Sequence, residues 1–231
     1  MDKVSIGMQQ DQHREFKGAI FDLDGVVVDT VPIHFEAWKR MFEEYGKNFT
    51  LRDYKEKVDG IPRTDGGRAI LTDLSTKELI KATDKKQKYF LEYLKKEKIP
   101  VFKATVKLIK ELGNKGIKIA VISSSKNSPY ILKRIGIIKL LDAEVNGGDI
   151  TKGKPHPQIF LMAVKEMGLK PKDCVVFEDA ILGVEAAKRA KMLCVGIDRY
   201  NAPRRLEEAD IVVKDLKEIN YDKLISLFGG H

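Results

Sequence analysis

Apolar positions recur along this chain with two different periods. From residue 100 onward, short apolar runs rich in β-branched side chains read as strands: "IKIAVISSS", "CVVFED", "MLCVGID" and "DIVV". The segments around them, "TVKLIKELGNKG", "SPYILKRIG", "HPQIFLMAVKEMG" and "ILGVEAAKRA", repeat their apolar positions every three or four residues and read as helices. Gly113, Gly136 and Gly168 stand where helices are expected to end. One further apolar run, "GAIFDLD", lies near the start of the chain. Alternation of this kind predicts an α/β fold, with a Rossmann-like doubly wound parallel sheet covered on both faces.

Residues 32 to 98 break the rhythm and carry helical patterns only. Pro32 suits a first helical position, and Trp38, Met41, Phe42 and Tyr45 then follow the spacing of a buried stripe. Thr50 with Asp53, and Ser75 with Glu78, have capping-box spacing. Tyr89, Phe90, Tyr93 and Leu94 share one face of a later helix. The expected organisation is a flexible N-terminal segment over 1–15, a core over 16–31 and 99–231, and a small α-helical cap domain over 32–98, inserted after the first strand.

Composition narrows the function. The hydrophobic share of 43% is ordinary for a globular protein. No apolar run approaches the roughly 18 residues of a membrane span, and the first residues lack the apolar stretch of a signal peptide. Cys174 and Cys194 sit in apolar strand-like runs and read as buried, reduced thiols, so a cytoplasmic setting is expected. The formal net charge of +8 comes from lysines spread over many helices, without a basic stripe. Neither a nucleic-acid nor a membrane partner is expected, and the chain is expected to be a monomer.

The chemistry gathers where apolar runs end. The first ends in Asp22 and Asp24, the second in Ser123 to Asn127, and "VVF" in Glu178 and Asp179; the loop "GDITKGKPHP" offers Lys154 before a helix. Parallel sheets bind ligands beyond the carboxyl ends of their strands, so these groups can meet. Asp22 and Asp24, two residues apart on a strand, are expected to face one ligand. Crowded carboxylates need a cation, and an all-oxygen donor set suits Mg²⁺. An EF-hand calcium loop is excluded, because its glycine belongs at the sixth position and Gly25 is fourth from Asp22. A metal, a cationic clamp and an ionised carboxylate nucleophile are the equipment of phosphoryl transfer.

At these residues the chain resembles the haloacid dehalogenase (HAD) superfamily over nearly its whole length. "FDLDGVVVDT", "VISSS", "KGKPHPQIF" and "VVFEDA" resemble its four motifs in order. The resemblance implies that Asp22 is the nucleophile and Asp24 the general acid/base. It implies that Asp22, Asp179 and Asp24, through its backbone carbonyl, hold Mg²⁺ with Glu178 close by, and that Ser123 and Lys154 bind the transferring phosphoryl group. Within the superfamily the nearest resemblance is to the β-phosphoglucomutase group. "IHFEAW" places His34 and Trp38 at that group's cap positions, His34 to tune the acid/base aspartate. "DGIPRTD", with Gly60 and Arg63, resembles the cap loop that docks a distal phosphate, and Ser125, Lys126 and Asn127 resemble the loop that shares it. "KKQKYF" places Lys85 or Lys86 near the cap lysine, and Lys85 is taken as the substrate-binding one. Two departures stand out: Asp59 precedes Gly60 where the mutases usually carry a lysine, and "VFKAT" replaces the usual Pro-Gly of the return from the cap. The implied activity is phosphoryl transfer through an aspartyl phosphate on a small phosphorylated sugar, most plausibly of the mutase type that converts β-glucose 1-phosphate to glucose 6-phosphate. The alternative is hydrolysis of a sugar phosphate or another small phosphomonoester. The intact Asp22 and Asp24 argue against a non-catalytic phosphosugar sensor.

Overall fold

The computed structural model describes residues 14–59, 61–96 and 98–229. The expectations for the chain before Arg14, for Gly60 and for the last two residues fall outside these. The N-terminal expectation ran to residue 15, but the Glu15 N–H already donates to Asp173 Oδ1 (3.2 Å) and Phe16 is buried.

Six parallel strands form one sheet: β1 (Gly18–Asp22), β2 (Lys118–Ile122), β3 (Ala143–Val145), β4 (Cys174–Glu178), β5 (Leu193–Ile197) and β6 (Ile211–Val213), in the order β3-β2-β1-β4-β5-β6. Sequence patterning missed β3, whose three residues, with a glutamate in the middle, give no apolar run. The sheet is buried on both faces, which explains why its strands read as unbroken apolar runs. Alternate residues enter two different cores. Ala19, Phe21, Val175 and Phe177 belong to one, and Ile20, Cys174, Val176 and Cys194 to the other. Both cysteines are buried free thiols.

Helices α5 (Lys103–Asn114) and α9 (Tyr221–Leu227) cover the first face, and α7 (Gln158–Met167) and α8 (Ile181–Arg189) the second. A shorter helix, α6 (Ser128–Arg134), follows β2. Gly168 caps α7 in the left-handed region at φ 67°, and Gly136 follows α6 at φ 78°. Gly113 does not end its helix: α5 runs on to Asn114, and the turn belongs to Gly116 at φ 80°.

Between β1 and α5 the named elements among the described residues are all helices: α1 (Val31–Glu43), α2 (Leu51–Lys57), α3 (Arg63–Arg68) and α4 (Thr76–Lys96). They bury a core of their own around Trp38, Met41, Phe42, Phe49 and Leu79. Tyr45, read as the end of the α1 stripe, lies just past the helix and is half-buried. The expected capping boxes form. Thr50 Oγ1 accepts from Asp53 N while Thr50 N donates to Asp53, and Ser75 exchanges the same pair of bonds with Glu78. Two passes of chain join the insertion to the sheet, and they run side by side: Asp29 N donates to Pro100 O (3.0 Å) and Phe102 N to Val27 O (3.0 Å).

Candidate active site

The sheet order reverses between β1 and β4, and the carboxyl ends of these strands bring the first acids together. Asp22 ends β1, Glu178 ends β4 and Asp179 follows it. One oxygen from each of the three lies within 4.8 Å of the others, and all three residues are buried. Lys154 joins the cluster, its Nζ 2.6 Å from Asp22 Oδ1 and 3.0 Å from Glu178 Oε2. Burial pushes the Asp22, Glu178 and Asp179 carboxyls above the usual range, and repulsion by neighbouring acids adds to it for Glu178 and Asp179. Burial alone would lower Lys154, but Asp22 and Glu178 outweigh it and hold the ammonium charged. An all-oxygen donor set of clustered, unwillingly charged acids fits a hard divalent cation such as Mg²⁺.

Two glycines make room for these acids. A side chain at Gly25, which sits at φ +84°, would overlap the Asp179 carboxylate, and one at Gly183 would overlap Glu178.

Asp24 was expected on the strand but lies two residues past its end. β1 ends at Asp22, and Asp24 belongs to a tight turn in which Gly25 N donates to Val28 O (2.8 Å). Its carboxylate is therefore not part of the acid cluster. Thr30 Oγ1 donates to Asp24 Oδ1 and Ser123 Oγ to Oδ2 (3.1 Å). Burial and then the neighbouring Asp22 raise Asp24 to about 6, where a carboxyl can both give and take a proton near neutral pH. Ser123 is fully buried, and its hydroxyl is engaged with Asp24 while it accepts from Ser125 N (3.0 Å). Thr30 was legible as the last letter of the first motif, yet nothing in its spacing marked it as a partner for Asp24.

A cavity of about 530 Å³ lies between this edge and the helical insertion. Asp22, Asp24, Lys154, Glu178 and Asp179 line its floor, and Ser125, Lys126 and Asn127 line it beside α6. From the insertion come His34, Trp38, Arg63 and Lys86. Lys85 does not reach it: its side chain is half-exposed and pairs with Glu44 (2.8 Å) on the outer surface. Neighbouring helix positions point about 100° apart, and the buried one is Lys86.

Lys86 Nζ lies 2.8 Å from His34 Nδ1, and His34 Nε2 lies 3.8 Å from Asp24 Oδ1. Burial and Lys86 keep the imidazole well below its usual pKa, so it is neutral. An ammonium donating to Nδ1 puts the imidazole hydrogen on Nε2, facing Asp24. The ring stacks on Phe90 at 4.1 Å. Burial and then Arg63 lower Lys86 itself to about 7. Arg63 pairs with Asp84 (3.0 Å), and Gln87 Nε2 donates to Asn127 Oδ1 (3.0 Å), tying α4 to the loop after β2. The sequence reading named neither Gln87 nor Arg199. Arg199 Nε donates to Gly25 O (2.8 Å), and its guanidinium lies 3.7 Å from the Phe102 ring centroid, bracing the motif turn against the returning chain.

Acids and one lysine at the switch point of a doubly wound sheet, roofed by a helical insertion, define an α/β enzyme with its chemistry on side-chain carboxylates. Residues 19–197 match the sequence model of the haloacid dehalogenase-like hydrolases, and the chain belongs to that family. The β-phosphoglucomutase of Bacillus subtilis (strain 168) is 35% identical over 217 residues, which cover 90% of this chain and 93% of that protein. A phosphorylated carbohydrates phosphatase of Thermotoga maritima is 34% identical over 190 residues, covering 79% of this chain and 83% of that one. The crystal structure of β-phosphoglucomutase from Clostridium difficile superposes with a TM-score of 0.85 at 27% identity, over 93% of this chain and 97% of that one.

Proposed function

We propose that this chain moves the phosphoryl group of a small phosphorylated sugar through an aspartyl phosphate on Asp22. The observation that carries the reading is the placement of Asp22 and Asp24 together in one cavity, with Lys154 on the first and a value of about 6 on the second. Asp22 attacks phosphorus and the bond to the leaving oxygen breaks; Asp24 gives that oxygen its proton. Asp24, now ionised, takes the proton of the next acceptor, whose oxygen attacks phosphorus and frees Asp22. Lys154 offsets charge on the nucleophile, and Ser123 orients Asp24 with its single hydroxyl proton. Asp22, Asp179 and the Asp24 carbonyl, with Glu178 beside them, are the residues that would hold Mg²⁺; bound there, the ion supplies positive charge to the transferring group.

Residues 32–98 then act as a cap domain on a core of residues 16–31 and 99–231, restricting water. His34 holds a proton toward Asp24, and Trp38 walls the cavity. Asp59 and Ile61 stand on the cavity wall just before Arg63. Arg63, Lys86, Ser125, Lys126 and Asn127 dock a distal phosphate, which a mutase needs because its bisphosphate intermediate must turn over in place. The substrate favoured on this reading is β-glucose 1-phosphate, converted to glucose 6-phosphate. Asp59 favours a second reading, hydrolysis of a sugar phosphate, because it puts an acid where the mutases usually carry a lysine. Phosphorus-31 NMR with Mg²⁺ and β-glucose 1-phosphate, with and without a hexose bisphosphate primer, separates the two. Growth of a 6-phosphate resonance supports the mutase, free phosphate alone supports the hydrolase, and an unchanged spectrum with this and other sugar phosphates overturns both.

A further inference from the structure

One acid on the cavity wall has no part in this chemistry. Asp59 follows α2 and lines the cavity together with Tyr54. Its Oδ2 accepts a hydrogen bond from the Tyr200 hydroxyl (3.0 Å), which reaches across from the segment after β5. Tyr54, buried in the insertion, lines the same wall. Two nearby cations are turned onto the phenol ring: Lys55 Nζ lies 4.3 Å and the Arg205 guanidinium 4.6 Å from the Tyr200 ring centroid. A neutral phenol thus holds Asp59 at the cavity surface.

Charge in the cavity is divided. Lys86 stands near Arg63, whereas Asp59 stands near Asp22 and Asp179, with the Arg205 guanidinium offsetting part of the acid repulsion. An anion brought to the Asp59 wall is repelled, while a hydroxyl there finds an acceptor. A carboxylate offers about four acceptor positions, and one phenol leaves it capacity for a further donor. A partly buried acid beside other acids costs stability, and the structure gives it a neutral hydrogen bond that keeps it in place.

We propose that Asp59 is a specificity-determining residue, accepting a hydrogen bond from a hydroxyl of the substrate's carbohydrate part and excluding a second phosphate from that wall, with Tyr200 as its positioning residue. The inference rests on the phosphoryl-transfer reading above. A site built to bind a hydroxyl discriminates strongly against ligands that lack one.

The test is steady-state kinetics with Mg²⁺ on p-nitrophenyl phosphate, which has no hydroxyl, and on a panel of hexose 1- and 6-phosphates. Asp59→Ala is expected to lower kcat/KM for the preferred hexose phosphate roughly 10- to 100-fold, mainly through KM, as for a lost hydrogen bond to a charged group. Turnover of p-nitrophenyl phosphate should stay within about threefold. Tyr200→Phe, which keeps the ring, should give the same selective pattern at roughly 3- to 10-fold, and Asp59→Asn, which can still accept, should recover part of the loss. Equal losses on both esters overturn the inference, because Asp59 then only holds the insertion in place. An unchanged hexose phosphate rate overturns it too. A wild-type protein that turns over none of these esters overturns the phosphoryl-transfer reading itself, and this inference with it.

Discussion

Lys154 Nζ stands between two strand tips, 2.6 Å from Asp22 Oδ1 and 3.0 Å from Glu178 Oε2, with all three side chains buried. Removing one member of a buried ion cluster leaves uncompensated charge, so Lys154→Met is expected to cost roughly 3–5 kcal/mol of stability without metal. Mg²⁺ should restore part of this by supplying the missing positive charge. Urea denaturation with and without Mg²⁺ measures both effects; a loss below about 1 kcal/mol would show that the acids do not depend on the lysine.

The two aspartates are expected to fail differently. Asp22→Asn removes the nucleophile and should lower turnover at least on the order of 10³-fold, with circular dichroism unchanged because the group lies at a strand tip. Asp24→Asn should slow chemistry on the order of 10²–10⁴-fold, the range for a positioned acid/base. Normal turnover by Asp22→Asn ends the covalent mechanism, and a loss under tenfold removes Asp24 from its role.

Lys86 carries a pH dependence. Its folded value of about 7 lies below the ordinary 10.5, so the native state binds fewer protons than the unfolded chain between those values. The stability penalty it imposes is therefore present at neutral pH and eases as pH rises through that window. Lys86→Met is expected to stabilise the protein at pH 7 while raising KM for phosphate esters about 10-fold at pH 6. In the wild type, KM should climb as pH rises through 7 and the ammonium loses its proton; the variant should be flat. Lys85→Ala breaks an exposed pair on the outer surface and should leave both the thermal midpoint and the kinetics close to wild type.

Asp179 gives the test of the metal. At saturating Mg²⁺ the thermal midpoint of the wild type is expected to rise by about 5–10 °C, as for a ligand bound only by the native state. Asp179→Asn should abolish most of that rise without lowering the midpoint of the metal-free protein, since it removes one of the mutually repelling acids. Differential scanning fluorimetry with Mg²⁺ and then a chelator reads both. A variant that responds to Mg²⁺ as the wild type does would take Asp179 out of the donor set.

The strands that lead to Asp22, Ser123 and Glu178 were legible because burial on both faces makes them continuous apolar runs, and the polar letter that closes each run stands out. The edge strand Ala143–Val145 has no such run, and only its pairing with β2 makes it a strand. Choosing between Lys85 and Lys86 needed knowledge of which side of α4 packs inward, and propensity is silent on that. Asp59 was noticed as an odd letter, but its partner Tyr200 lies 141 residues away and comes from a segment without periodicity. Gln87 and Arg199 escaped for the same reason: each acts across a seam between parts of the chain whose contact no local pattern encodes.

The space that side chains would take at Gly25 and Gly183 is filled by the carboxylates of Asp179 and Glu178. Even one added methyl group at either position displaces an acid before it disturbs the sheet. The rim of the core is thereby frozen by interlocking shape, each acid seated in the space of a glycine's missing side chain. Variation that retunes what this enzyme accepts is expected to accumulate on the helical side, leaving the machinery beneath it untouched.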